Sequence, residues 1–271
     1  MLQNRLNNTN TQTQKTRGYN PFIKATAKNA SNDGTKASFQ GIISKGIFFV
    51  IAIAIGVAIE VLLNALPVKH IIYSNNMIAN APQLIGLAAA SISLIVMPFI
   101  AYFVKSSVPI TGSIFCISVG YAYTGYADVF VKYRSVILLA LVVTIAVFAA
   151  IVLVYKSGIV KVNQKFASVA TVLFATLIIA SLIIAVCSFV PALSGVTALI
   201  KSSPLISIGL SAIGIVIATL YILTDIDKIH RSVENGVSES CEWTLAFSLV
   251  FSVIWLFMQV VDLFMAIADN S

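Results

Sequence analysis

At 271 residues, 59% of them hydrophobic and only 10% charged, the chain carries more apolar surface than a soluble domain of its size can bury. A mean hydropathy of +0.97 gives the same answer: a polytopic membrane protein, not a water-soluble domain. The formal charge of +7 is scattered through tail and loops, which reads as a topology bias and an attraction to anionic lipid and excludes a nucleic-acid footprint.

Residues 1–42, rich in Asn, Gln, Thr and Lys, are expected to form a mostly disordered polar tail, and residues 43–271 a membrane domain. No apolar stretch occupies residues 10–20, so the first span is expected to act as the insertion signal, leaving the tail in the cytoplasm. Seven apolar runs follow, at 46–66, 83–104, 108–130, 135–155, 167–190, 204–226 and 243–267. They are continuously apolar and about 20 residues long, which predicts helices, since barrel strands are half that length and alternate. The fold class is therefore all-α, a seven-helix membrane bundle. Assigning alternate loops to the two sides puts 13 Lys and Arg on the side of the tail and 4 on the other, the bias of a cytoplasmic N-terminus.

In chain order, the first run carries Glu60 with Asn64 one turn beyond; Glu60 either snorkels to the outer headgroups or joins a cavity. Ala88, Ala89, Ala90 and Ser91 suit close packing of the second run. The third is the least apolar, with Tyr121, Tyr123, Thr124, Tyr126 and Asp128 in its second half, and should face protein or a water-filled cavity. Asp128 shares a face with Thr124 and Tyr121, as a pore lining would, and also stands four residues before Lys132, as an ordinary surface ion pair would. In the sixth run, Ser207, Gly209, Ser211, Ala212 and Gly214 would admit a neighbouring backbone. Asp225 and Asp262 lie inside the last two runs, where an ionised carboxylate needs a partner, water or a proton. Asp227 and Arg231 have the spacing of a helical ion pair, Trp243 suits an interface and Trp255 a buried contact.

Metal and redox chemistry have no motif. Cys116, Cys187 and Cys241 lack CxxC spacing, and His70 and His230 are isolated loop residues. No histidine lies within a run to serve a serine nucleophile, and the Gly-x-Gly-Asp string of aspartyl intramembrane proteases is absent, the nearest being Gly125-Tyr126-Ala127-Asp128. The chain is not expected to be an enzyme or to hold a cofactor.

The final third reads Leu220-Tyr221-Ile222-Leu223-Thr224-Asp225-Ile226-Asp227-Lys228-Ile229, then Val233-Glu234-Asn235-Gly236, then Glu242-Trp243. Asn20-Pro21-Phe22 precedes the first run, and Tyr155-Lys156-Ser157-Gly158 follows the fourth. This set, spread over roughly residues 20–267, resembles the Bax inhibitor family, most closely its bacterial branch. The resemblance implies a bundle in which the seventh helix is wrapped by the others and a pH-responsive calcium leak sensed by two carboxylates, in a bacterial inner membrane. Asp225 matches the first of these acids. The second should follow a Leu-Tyr-Leu-like string in the seventh helix, where this chain has Ser252 in one register and Gln259 in the other, neither of which titrates near neutral pH.

A displaced pair of Asp225 with Asp262, repelling on loss of a shared proton, would replace the missing acid. Against it, Asp262 is about 28 Å along a helix that starts at Trp243, which favours the Ser252 register, with Asp225 accepting the Ser252 hydroxyl or pairing with Lys228. Asp225, Ser252, Gln259, Asp262 and Asp128 are thus the candidates for a pH sensor or ion pathway. The partners expected are the lipid bilayer and calcium or another cation. The competing expectation is a non-conducting regulator that binds a membrane protease or another membrane complex.

Overall fold

The computed structural model describes residues 35–65, 71–74, 77–79, 81–129, 133–189 and 203–269. Most of the expected tail lies outside these residues, as do His70 and Lys132. Among the described residues, seven α-helices form the fold: α1 (Phe39–Asn64), α2 (Ala81–Phe103), α3 (Val108–Val129), α4 (Arg134–Lys156), α5 (Gln164–Phe189), α6 (Pro204–Glu234) and α7 (Glu242–Ala268). A short antiparallel hairpin, β1 (Ile71–Ser74) with β2 (Met77–Ala79), joins α1 to α2. The odd-numbered helices begin at one face of the bundle, the near face, and end at the other, the far face.

Six of the seven helices are long and apolar enough to cross a membrane; α3 is not. Its polar second half is tolerated because α3 packs between α1 and α2, burying Phe115, Cys116, Val119, Tyr121 and Ala122. Large apolar side chains such as Ile47, Ile85, Leu138, Leu153 and Leu205 stay exposed, as lipid-facing residues do.

The helix ends follow from local chemistry. Ser38 caps α1, its hydroxyl accepting from the Gly41 amide at 3.0 Å, so the helix starts before the expected boundary at residue 43. Asn163 caps α5 by accepting from the Phe166 amide at 2.9 Å. At the end of α6 the Gly236 amide donates to Val233 and the Val237 amide to Ser232, the paired bonds of a Schellman turn, and Gly236 supplies the positive φ of 64° that this turn requires. Gly158 does the same after α4 at φ 68°. Two of the recognised sequence strings are therefore helix stops.

More of α7 is buried than of the other apolar helices, in keeping with a wrapped seventh helix. Ala246, Phe247 and Ile254 face α1 and α3, whereas Leu256, Val260 and Val261 face α4 and α6. The expected row of small residues in α6 is only half used. Ser211 and Gly214 are buried, but Gly209 meets open space. The tightest backbone approach instead joins α1 to α3, where a Cβ on Gly56 would sit 2.0 Å from the Ile117 carbonyl oxygen and one on Gly120 the same distance from that of Ile53. In lipid, where burial of apolar surface gives no drive between helices, such backbone contact is a main source of association. Gly56→Leu and Gly120→Leu are each expected to cost about 1–3 kcal/mol or more, read as a lower melting temperature in detergent, while Gly209→Leu changes it little.

Candidate functional site

Asp225 lies on α6, about two and a half turns before its end at Glu234, with 1% of its surface exposed. Its environment is built by helical spacing. Lys228 is one turn along the same helix, and Ser248 and Ser252, four apart on α7, present both hydroxyls to one face. Oδ1 accepts from Lys228 Nζ at 2.8 Å and from the Ser248 hydroxyl at 3.2 Å; Oδ2 accepts from the Ser252 hydroxyl at 2.5 Å. The Ser252 hydroxyl is also 2.9 Å from the Ser248 carbonyl oxygen, so its single proton has two acceptors in reach. The Lys228 ammonium stands 4.6 Å from the centre of the Tyr221 ring, which in turn stacks on Phe174 at 4.0 Å. An acceptor-only carboxylate is thus met by an ammonium and two hydroxyls, the partners it needs when water is excluded.

A second carboxylate ties the same region to α1. Glu242, the first residue of α7 and fully buried, accepts from the Ser38 amide at 2.7 Å and from Lys45 Nζ at 2.5 Å. It lies directly over Gly41, where any Cβ would overlap the carboxylate. The chain just before α1 is held alongside: the Ala37 amide donates to the Val237 carbonyl at 2.7 Å and the Glu239 amide to that of Thr35 at 3.2 Å. This clasp was not anticipated. Its trace in the sequence was Gly41 and Lys45 one turn apart at the start of an apolar run, with a lone Glu opening another.

The far half holds a different set. Glu60 is fully buried, which decides against snorkelling to the headgroups. Its Oε1 accepts from Gln83 Nε2 at 2.6 Å, its Oε2 has no hydrogen-bond donor, and its carboxyl is within hydrogen-bonding reach of Asp128. Asp128 accepts from Asn64 Nδ2 at 3.0 Å, and the Tyr121 hydroxyl donates to the Gln83 carbonyl at 3.2 Å. Two acceptor groups therefore face one another across α1 and α3, an arrangement that one shared proton or a bound cation satisfies. The sequence grouped Glu60 with Asn64 and Asp128 with Tyr121; the packing of α3 between α1 and α2 joins the two groups and adds Gln83.

Asp262 is elsewhere. It opens on a cavity of about 500 Å³ lined by Tyr123, Tyr126, Tyr133 and Ser91, with the Tyr126 and Ser91 hydroxyls 2.8 Å apart. The displaced pair with Asp225 does not form: α6 and α7 run antiparallel, and the ten residues from Ser252 to Asp262 carry the latter about 15 Å away. Gln259 is also remote from Asp225, its amide oxygen packed over Gly214 of α6. Repulsion between two acids is accordingly not available at Asp225. Asp227 and Arg231 make the expected pair at 2.7 Å, and Arg231 also donates to the Val162 carbonyl at 2.9 Å. His230 is half exposed and meets Glu234. Among the described residues no three His, Cys, Asp or Glu side chains converge as metal ligands.

The profile of the family described as Bax inhibitor 1 like matches residues 4–269. No curated protein matches the chain.

Ser252→Ala removes one of three donors to a buried carboxylate and is expected to cost about 1–3 kcal/mol by thermal unfolding in detergent. Glu60→Gln is expected to melt no lower than the parent, because its amide supplies the donor that Asp128 lacks opposite Glu60 Oε2. A clear loss on that change would contradict the facing-acceptor arrangement.

Proposed function

Because this chain belongs to the Bax inhibitor 1 like family and is an integral membrane bundle, we propose that it forms a pH-responsive leak for calcium or another cation, with Asp225 as the responding group. The supporting observation is that Asp225 joins α6 to α7 through side-chain bonds that depend on its charge. Ionised, it accepts from Lys228, Ser248 and Ser252. Protonated, it loses acceptor capacity and leaves the Lys228 ammonium buried without a counter-charge, which costs about 3–5 kcal/mol in a site of this kind. Separation of α6 from α7 at the near face relieves that cost by admitting water to Lys228. The sign is opposite to that of a repelling acid pair: the tie holds while the Asp225 carboxylate is charged and is lost when it takes a proton.

Attraction for cations comes in this reading from the far half, where Glu60, Asp128 and Asp262 reside. Gln259 contributes packing against α6 more than charge. The role is non-enzymatic, in a bacterial inner membrane with the near face cytoplasmic, a placement supported by the bias of Lys and Arg.

A second reading is supported by the seventh helix, which carries Ser252 in one register and Gln259 in the other where the resemblance implies a second acid: a non-conducting bundle that regulates a membrane protease or another membrane complex. Calcium-loaded liposomes containing the purified chain separate the two. A leak gives flux in the parent that rises with acidification and, in Asp225→Asn, a raised flux that no longer varies with pH. An Asp225→Asn protein that keeps the parent's pH response rules out the sensor role, and a parent with no flux at any pH favours the regulator.

A further inference from the structure

On the near half, α1 and α4 stand apart on either side of α6 and α7 and enclose a groove of about 1080 Å³. Its walls are apolar: Ile43, Ile47 and Val50 of α1, all more than half exposed, opposite Phe148 and Val152 of α4, with Val253 of α7 in the floor. Along α1 the lining runs from Phe39 to Ile53, about 21 Å at the helical rise, against about 15 Å for half the hydrocarbon core of a bilayer. A chain of one leaflet therefore fits within it over its full depth. Polar residues gather at one end alone. There Arg231 is balanced by Asp227 at 2.7 Å, while Lys156 and Lys161, both exposed, add two positive charges at the mouth.

We propose that this groove is a binding site for an anionic phospholipid of the leaflet on the near face, its acyl chain between α1 and α4 and its phosphate against Lys156 and Lys161. Lipid is favoured over a soluble peptide because the exposed α1 wall opens on hydrocarbon, which only bilayer-dissolved molecules reach. An anionic headgroup is favoured because, among the described residues of the lining, the charge left unbalanced is positive, at Lys156 and Lys161, and lies at headgroup depth. The site is independent of whether the chain conducts.

Gly46 provides a direct test. It lines the groove, and a Cβ added there meets no atom within 4 Å, so a larger side chain enters the groove without striking the fold. The full chain, in nanodiscs of equal phosphatidylglycerol and phosphatidylcholine, is released into a native mass spectrometer and its bound lipids are counted. The parent is expected to retain phosphatidylglycerol at least several-fold over phosphatidylcholine. The double change Lys156→Gln with Lys161→Gln is expected to abolish that preference while lipid is still retained, and Gly46→Leu to lower retention of both lipids. Equal retention of the two lipids by the parent overturns the proposal, as does a preference that survives the double lysine change. A dimer that persists in both lipids and is lost in Gly46→Leu also overturns it, in favour of a second copy of the chain. Should Gly46→Leu fail to fold, as judged by its melting temperature, the lysine pair alone decides.

Discussion

An ionised carboxylate removed from water must be given its partners by the chain, because hydrocarbon offers none and each unmet acceptor costs free energy directly. Asp225 meets that requirement by drawing on two helices at once: Lys228 from its own, Ser248 and Ser252 from α7. A carboxylate satisfied within α6 alone would leave α7 free to slide or rotate. Here the register of the two helices is tied to the charge of one residue, since a one-residue rotation of α7 would carry both hydroxyls off the shared face. The antiparallel geometry that follows sets the rest of the contact, including Gln259 over Gly214 toward the far face.

Glu242 extends this constraint to α1. Its carboxylate takes the Ser38 amide, which a helix N-terminus leaves without an internal partner, together with the Lys45 ammonium, so the start of α1 and the start of α7 are held as one corner. Phe48 and Phe49 against Trp243 continue the contact into the apolar region. Trp243 thus works less as an interface anchor than as the first layer of packing between α1 and α7. Because Asp225 and Glu242 both act on the near end of α7, a change at either alters the footing of the other, and the short turn from Gly236 to Cys241 leaves little slack between them.

Helix number, order and approximate ends were legible in the sequence because hydrocarbon thickness imposes a minimum apolar length that no soluble context would require. The likeness carried by separated strings was legible too, and two of those strings owe their form to helix stops at Gly158 and Gly236. Near Asp225, spacing gave Lys228, and the family resemblance gave Ser252 once its two registers had been weighed by helical rise; Ser248 lies one turn from Ser252 on the same face. What stayed hidden depends on which helices touch. Glu60, Gln83 and Asp128 come from three helices, and Ser38, Lys45 and Glu242 join segments about two hundred residues apart, so no local pattern links them. The small residues of α6 misled for a related reason: small size permits close approach without naming a neighbour, and the backbone contact formed at Gly56 and Gly120 instead.

The two ends of the bundle differ in how they balance acid. At the near end each buried carboxylate has a lysine, Asp225 with Lys228 and Glu242 with Lys45. At the far end Glu60 and Asp128 have amides, from Gln83 and Asn64, and one another. An amide donates a hydrogen bond without cancelling charge, so the far cluster is left with acceptors that only a positive species can balance, whereas the near pairs are already neutral. The interior of the bundle therefore has a near end whose buried carboxylates are cross-linked and charge-paired and a far end whose carboxylates are not. Under the proposed leak, any positive charge that entered would be held first at the far acids and would meet the near ties as the barrier.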